Sequence, residues 1–243
     1  MKLQSILGND YSMEVQTNID LILVIDATAS MDPIIDNVKK CALSFYDNVC
    51  DGIKSFNKKI NQFRVKVIVF RDYYVDDNLS MNESKFYILP NENSQLKKFV
   101  SSIEAKGGGD EPESSLEALA LAMRSNFVNE GVSKRHIIVL FTDASAHPFE
   151  QAKDGIPQCY PKNMFQNMNE LYLAWNDKQG YYNGLCNMNY NAQRLIIFAP
   201  KIEPWNSVVK NCNQSILIPI QIDNGGADLS MDSVIKTISQ SIK

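Results

Sequence analysis

Three oxygen-bearing side chains alternate along one short stretch of the sequence, Asp26-Ala27-Thr28-Ala29-Ser30. In extended or tightly turning backbone, residues two apart point to the same side, so one carboxylate and two hydroxyls converge. Hard oxygen ligands of this kind suit a divalent cation such as Mg²⁺, which keeps several waters or takes further ligands from a substrate or partner. The stretch therefore predicts a cation site.

Two more acidic stretches follow the same theme. Thr142-Asp143 ends a second apolar run, and the glycine-rich loop Gly107–Glu113 carries the carboxylates of Asp110 and Glu113 into a helix. Glycines let the backbone approach a neighbouring group closely. We expect these carboxylates to lie near the first stretch if the strands and loops that carry them end at one edge of a sheet.

The hydrophobic pattern supplies such a sheet. Five short, β-branched segments are apolar on both faces, as buried parallel strands are: Ile19–Asp26, Val65–Arg71, His136–Thr142, Arg194–Ala199 and Ile216–Ile222. Lys85–Leu89 follows the second of them after a short polar link, which favours a hairpin to an antiparallel edge strand. Helical periodicity lies between the strands, over Pro33–Val49, Ser94–Ala105, Glu113–Phe127, Asn163–Trp175 and Leu229–Ile242.

This order of elements predicts an α/β fold with a doubly wound, mostly parallel six-stranded sheet, one short antiparallel edge strand and helices on both faces. Ligands of such sheets bind beyond the carboxyl ends of the strands. We expect one domain over residues 1–243, with an N-terminal extension at 1–17 and a long insertion at 144–193 near the edge of the sheet that carries the cation site. Insertions of that length are usually either functional or disordered, and the aromatic residues of this one favour a function. We expect Trp175 and Trp205 to be packing residues.

Composition excludes several partners. Lys and Arg number 24 against 28 Asp and Glu, which gives a net charge of -4 and no basic excess for nucleic acid. The apolar runs are far shorter than the about 20 residues that a membrane-spanning helix needs. The first residues lack the apolar core of a secretory signal, and the five cysteines are scattered, so we expect a cytoplasmic chain with reduced thiols. Cys159 and Cys186 are the candidate pair if the protein is exported.

Three stretches together resemble one family. DLILVIDATASM, GGGDEPESSLEAL and IIVLFTDASAH are similar, in order and spacing, to the motifs of von Willebrand factor A domains that carry a metal-ion-dependent adhesion site. The resemblance extends from about Ile19 to Ile242. It implies a Rossmann-like fold and a bound Mg²⁺, with Mn²⁺ and Ca²⁺ as alternatives.

The resemblance also implies a ligand set. Asp26 would hold the metal mainly through water, Thr28 and Ser30 would supply hydroxyl oxygens, and Asp143 would act directly or through water. Many adhesive relatives have a Thr where this chain offers Asp110, and this acidic residue should strengthen cation binding and weaken the capture of an acidic ligand. Glu113 is the weaker candidate in the same loop.

The resemblance implies a Mg²⁺-dependent protein-binding module of an intracellular multi-protein system, which binds an Asp or Glu carboxylate of a partner through the metal and catalyses nothing. Two alternatives stay open: a Mg²⁺-dependent hydrolase or phosphoryl-transfer enzyme, with Arg71 as its nearest cation, and a degenerate A domain without metal. Asp26 and Ser30 could also simply cap the following helix. We interpret His147 as a solvent-exposed loop residue rather than a ligand or catalytic group.

Overall fold

The computed structural model describes residues 16–40, 42–43, 59–109, 111–149, 157–179, 182–220, 236–237 and 240. Seven strands form one sheet: β1 Gln16–Asp26, β2 Lys59–Phe70, β3 Met81–Glu83, β4 Tyr87–Leu89, β5 Ser133–Phe141, β6 Gln193–Ala199 and β7 Ser215–Pro219. Their spatial order is β3-β2-β1-β5-β6-β7, and β4 also pairs with β2.

The five long strands run parallel, and β3 and β4 run antiparallel to β2. The predicted doubly wound, mostly parallel sheet is confirmed. The predicted edge strand Lys85–Leu89 corresponds to β4, and β3 is a second antiparallel strand that the sequence does not predict. Ser84 lies between the two, and its Oγ accepts a hydrogen bond from Val67 N at 2.9 Å while its own N donates to Val67 O. The sheet therefore has seven strands rather than six.

Helices cover both faces of the sheet. Helix α1 comprises residues 32–40 and 42–43, and the others are α2 Asn93–Ser101, α3 Ser115–Met123, α4 Met168–Trp175 and α5 Trp205–Asn211. Three-residue 3-10 turns occur at Ala29–Met31, Asp77–Leu79 and Tyr182–Gly184. Residues 236, 237 and 240 are helical, and the rest of the helix predicted at 229–242 lies outside the described residues, as does most of the extension at 1–17.

The sheet separates two apolar layers. Leu21, Leu23 and Ile25 of β1 face the layer that contains α1 and α2, whereas Ile22 and Val24 face the layer of α3, α4 and α5. All five side chains are at most 1% exposed. Burial on both faces explains why this strand is apolar at consecutive positions rather than alternating with polar residues.

The described part of the segment between β5 and β6 is part of the core. Helix α4 is the crossover helix of this connection, and Phe149, Phe165, Leu171 and Trp175 are buried with the layer of α3 and α5. Trp175 and Trp205 are fully buried, which confirms that they are packing residues.

Thiols and helix lengths bear on two further expectations. Cys159, Cys186 and Cys212 are free, and Cys41 and Cys50 lie outside the described residues. Among the residues that the structure describes, no helix is long and apolar enough to cross a membrane.

Candidate functional site

The predicted site lies where two neighbouring parallel strands end. Asp26 is the last residue of β1, and Asp143 follows the end of β5 by two residues. The register pairs Ile25 with Phe141, so the two strands stop at the same level of the sheet. Asp26 is completely buried and Asp143 is 4% exposed, whereas Ser30 is exposed. The fold thus brings these residues to one edge, as the sequence predicts.

Close polar contacts join the predicted side chains. Asp26 Oδ1 accepts from Thr28 N at 2.9 Å and from Thr28 Oγ1 at 2.7 Å. Thr28 Oγ1 lies 3.0 Å from Ser30 Oγ, and Ser30 Oγ donates to Asp143 Oδ1 at 3.1 Å. Thr142 Oγ1 donates to Asp26 Oδ2 at 2.6 Å and so fixes the other carboxylate oxygen. Asp110 lies outside the described residues.

The two hydroxyl groups have a geometry that suits a cation. Thr28 and Ser30 each carry one hydroxyl proton, and each proton has a carboxylate acceptor, Asp26 for the first and Asp143 for the second. The two hydroxyl oxygens lie 3.0 Å apart, and each then has lone pairs left for a cation. Such oxygens, backed by carboxylates, are ligands that Mg²⁺ and Ca²⁺ accept.

A simple helix cap does not account for this arrangement. Thr28 precedes the 3-10 turn Ala29–Met31 and makes no side-chain cap bond. Asp26 does accept the Thr28 N–H, but the Ser30 hydroxyl bonds to Asp143, 113 residues away, rather than to a nearby N–H. Helix capping therefore accounts for one hydrogen bond of the Asp26 side chain and for no hydrogen bond of the Ser30 side chain.

The glycine-rich loop lies directly against the first stretch. Gly107, Gly108 and Gly109 all have positive φ angles, a conformation that side chains with a Cβ rarely adopt. Ala29 N donates to Gly107 O at 3.0 Å. A Cβ built on Gly108 would lie 2.7 Å from the Thr28 Cβ, so only a glycine fits here without displacing a neighbour.

Glu113 is brought into the site by this loop. Its side chain is 4% exposed, and its Oε1 lies 2.8 Å from the position of a Cβ on Gly108. Its Oε2 is buried without a hydrogen-bond partner among the described residues. The main chain holds Glu113 in place, since its N donates to Ser145 O at 3.1 Å. The sequence ranks Glu113 as the weaker candidate, and the structure places it beside Thr28.

Sequence reasoning missed two aspartates. Asp72 is buried, and its Oδ1 accepts from Tyr74 N at 2.9 Å and from Ser114 Oγ at 3.3 Å. Asp76 Oδ2 accepts from Asp72 N at 3.1 Å and from Gly108 N at 2.9 Å, so it holds the glycine-rich loop. Asp72 follows the end of β2 by two residues, the same signal that identified Asp143 after β5.

The interpretation of His147 as a solvent-exposed residue is wrong. Its side chain is 6% exposed, its Nε2 lies 3.2 Å from Asp72 Oδ1, and its ring packs edge-on against Tyr74. The reason is that the chain after β5 turns back against the glycine-rich loop, where His147 N donates to Glu113 O at 3.0 Å.

Arg71 is turned towards backbone carbonyls. Its guanidinium donates to Lys106 O at 2.7 Å, Leu79 O at 3.0 Å and Glu104 O at 2.8 Å. These bonds tie the loops around the site together. They also use N–H donors of the Arg71 guanidinium. A phosphoryl-transfer enzyme would need such a cation to bind the phosphate of its substrate.

The carboxylates of the site are held in unfavourable surroundings. Burial raises the pKa of Asp26 to about 7, against the opposing effect of hydrogen bonds from Thr142 and Thr28. Burial, followed by the charges of Asp26 and three other aspartates, raises the pKa of Glu113 to about 9. Burial also raises the pKa of Asp143. Desolvation and like charge destabilise the ionised carboxylates, and a bound cation would offset both effects.

The donor set therefore fits a divalent cation. No three Asp, Glu, His or Cys side chains of the described ranges are grouped to hold a metal ion. A cation would therefore be held by the hydroxyls of Thr28 and Ser30 together with the Asp143 carboxylate. Asp26 would support them by orienting the Thr28 hydroxyl. Oxygen-only donors of mixed charge are typical of Mg²⁺ and Ca²⁺ sites rather than zinc sites.

A family model and one solved structure agree with this fold. A family model described as von Willebrand factor A domain matches residues 20–164, more than half of the chain. The pilus adhesin SpaC from Lactobacillus rhamnosus GG has a TM-score of 0.53 at 11% identity, over 93% of this chain and 30% of the adhesin. Proximal thread matrix protein 1 from the mussel byssus has a TM-score of 0.46 at 11% identity, over 91% of this chain and 46% of its own. No curated protein matches.

The chain spans less than half the length of either solved structure, and likeness at this identity concerns the fold alone. The family match covers the strands and loops that deliver Asp26, the glycine-rich loop and Asp143. The chain belongs to the von Willebrand factor A domain family, whose domains mediate protein interactions.

Proposed function

We propose that this domain is a Mg²⁺-dependent protein-binding module of a cytoplasmic multi-protein system, which binds an Asp or Glu side chain of its partner through the metal. The observation that carries the proposal is the chain of close polar contacts from Asp26 through Thr28 and Ser30 to Asp143 at the carboxyl ends of β1 and β5. Asp143 is 113 residues from Ser30 in sequence, and two separate strands bring them to one point.

Each residue has a distinct part in this function. Asp26, fixed by the Thr142 hydroxyl, orients the Thr28 hydroxyl. Thr28 and Ser30 present oxygen lone pairs, and Asp143 orients Ser30 while offering its own carboxylate. When bound, the cation supplies the positive charge that attracts a partner carboxylate. Ser30 is exposed, so a partner can reach the site at this residue.

The surface beside the site suits a protein partner. Val75 is 53% exposed and Leu79 is 63% exposed, both in the loop between β2 and β3. Val75 Cγ2 lies 3.1 Å from the position of a Cβ on Gly109, which places it at the rim of the glycine-rich loop. Exposed apolar side chains around a polar centre are typical of interaction surfaces. We therefore expect apolar residues next to the partner's acidic side chain.

A peptide array tests this function before the partner is identified. The probes are octapeptides that carry one Asp or Glu among varied neighbours, and a matched set carries Asn or Gln instead. We expect Mg²⁺-dependent binding of the acidic set, its loss in EDTA, and at least a tenfold weakening in Ser30→Ala. Ser102→Ala is the matched control, since Ser102 is also exposed but its hydroxyl donates to Phe99 O in α2.

Equal binding of the amide peptides, or binding that survives EDTA, would contradict the proposal. Affinity capture with and without EDTA, with wild type and Ser30→Ala as bait, then identifies the natural partner. Fractionation of cells that express the tagged chain tests the cytoplasmic location.

A further inference from the structure

A groove runs along the outer face of helix α4. Four residues of this helix line it: Asn169, Tyr172, Leu173 and Asn176. Their spacing places them on one face of the helix, and the other face carries the residues of α4 that are buried in the core. The groove has a volume of about 710 Å³, within the range of about 300–1,000 Å³ that small-ligand sites occupy.

The groove ends near the edge of the sheet that lies opposite to Asp26 and Asp143. Trp175 Nε1 donates to Asn213 O at 2.7 Å, and Gln193 Nε2 donates to Trp175 O at 2.8 Å. Gln193 is the first residue of β6, and Asn213 precedes β7. The C-terminal end of α4 is thus tied to the amino ends of these strands, whereas the candidate cation site lies at carboxyl ends. The two sites are separate.

Hydrogen bonds hold the groove in place between α4 and α5. Asn176 Nδ2 donates to Tyr172 O at 2.9 Å and to Asn211 O at 2.7 Å. The Oδ1 atom of Asn176 accepts from Asn213 N at 3.0 Å. Asn211, the last residue of α5, also lines the groove, and its Nδ2 donates to Ser207 O at 2.8 Å. Because these bonds already fix the two helices to each other, a ligand would not have to order them.

The lining combines aromatic rings with side-chain amides. Tyr172 and Tyr182 are both half-buried, and Tyr182 comes from the 3-10 turn Tyr182–Gly184. Asn169 is exposed. Within the described part of the chain, the Asn169 amide and the Tyr182 hydroxyl make no hydrogen bond. An amide both donates and accepts, and a tyrosine offers an apolar ring with a polar tip. These groups are therefore available to a ligand.

The charges of the groove are balanced. Asp177 and Lys178 lie side by side in its lining. Asp177 Oδ1 accepts from Gln179 N at 3.1 Å, and Lys178 is exposed. Neither takes part in an ion pair in the ranges that the structure describes. An excess of basic side chains would favour a phosphate or a nucleic acid, so one charge of each sign favours a neutral ligand.

A helix face of this kind offers little to a peptide. An extended peptide pairs with the edge of a sheet, but the main-chain groups within a helix are paired with each other. A helical peptide needs an apolar groove, and Leu173 is the one aliphatic side chain among the described residues of this lining. A sugar suits the lining better, because its hydroxyls donate and accept and its C–H face packs against an aromatic ring.

We propose that the groove on α4 binds a neutral saccharide, whose ring packs against Tyr182 and whose hydroxyls bond to Asn169 and Asp177. This site needs no metal and does not depend on the proposed function. It also gives a role to the aromatic residues of the long insertion at 144–193, to which α4 and Tyr182 belong.

A glycan array tests the proposal with the full chain in EDTA. The array carries neutral oligosaccharides of glucose, galactose, mannose and N-acetylglucosamine, together with sialylated and sulfated ones. We expect binding of at least one neutral series, equally strong with Mg²⁺. Binding that is lost in EDTA, binding of the charged glycans alone, or binding of no glycan would overturn the proposal.

Variants then locate the binding site, with calorimetric titration of the neutral oligosaccharide that the array binds best. Tyr182→Ala should weaken binding about tenfold, because the aromatic face is lost. Asn169→Ala should weaken it about threefold or more, because a hydrogen bond is lost. Asn82→Ala is the matched control, since Asn82 is also exposed but lies in β3, the strand at one end of the sheet. Wild-type affinity in both groove variants would refute the site.

Two further outcomes keep the test decisive. If Tyr182→Ala fails to fold, Tyr182→Leu replaces it, because leucine keeps an apolar side chain but has no aromatic face, and the same loss is expected. Octapeptide binding that Tyr182→Ala weakens and Asn82→Ala leaves unchanged would assign the groove to a protein partner and refute the saccharide. A domain that binds the saccharide but no Mg²⁺ would support this inference and refute the proposed function.

Discussion

At Gly108 one added methyl group should disturb the candidate site directly. Its φ is +94°, and a Cβ would lie 2.7 Å from Thr28 Cβ and Cγ2 and 2.8 Å from Glu113 Oε1. In Gly108→Ala the backbone strain of a positive φ costs about 1–2 kcal/mol, and the steric overlap adds about 1–3 kcal/mol. Thr28 cannot move freely, because Asp26 holds both its N–H and its hydroxyl.

A second glycine provides the control. Gly184 has a φ of +72°, but a Cβ there would meet no described atom within 4 Å. The free energy of unfolding of Gly184→Ala should therefore fall only by the backbone strain of a positive φ, about 1–2 kcal/mol. Urea unfolding in EDTA measures both losses, and Mn²⁺ titration measures the effect on the site. Equal destabilisation of the two variants, together with wild-type Mn²⁺ affinity in Gly108→Ala, would refute the close approach of this loop to Thr28.

Two buried titratable groups give opposite pH dependences of stability, each measurable by urea unfolding across pH. Burial lowers the pKa of His136, whose Nδ1 accepts from Asn189 N. The free energy of unfolding should therefore fall as the pH drops below about 6.5, the pKa of this histidine in the unfolded chain. His136→Gln should flatten this dependence between pH 7 and 5, and an unchanged slope would contradict the role of His136. Burial raises the pKa of Glu117 to about 7. The stability that the protonated Glu117 contributes is therefore lost as the pH rises from about 4.5 to about 7. Glu117→Gln, which can still accept from Tyr160 Oη, should be more stable than wild type by roughly 3 kcal/mol at pH 8 and by much less at pH 4, and the same difference at both pH values would contradict it.

The sheet and the two carboxylates at its strand ends could be predicted from the sequence, because both depend on local patterns. Strands β1 and β5 are apolar at consecutive positions, which marks them as buried parallel strands, and their ends carry Asp26 and Asp143. Parallel strands that are neighbours end at the same edge, so this pair of carboxylates follows from pattern and topology alone.

The loop contacts could not be predicted because they depend on residues far apart in sequence. Gly108 meets Asp76 from 32 residues away, and His147 reaches Asp72 across a turn that no periodicity marks. His136 begins the predicted strand His136–Thr142, but in the structure it lies inside β5 and is 1% exposed. Strand β3 is not predicted, because its three residues, Met81–Glu83, carry no alternating apolar pattern.

Calorimetric titration of Mg²⁺ and Mn²⁺ measures metal binding by this domain itself. We expect one saturable site in the wild type, a weaker site in Ser30→Ala and a flat trace for Asp26→Ala, with circular dichroism to confirm that each variant is folded. A flat wild-type trace, identical to that of Asp26→Ala, would contradict metal binding by this domain.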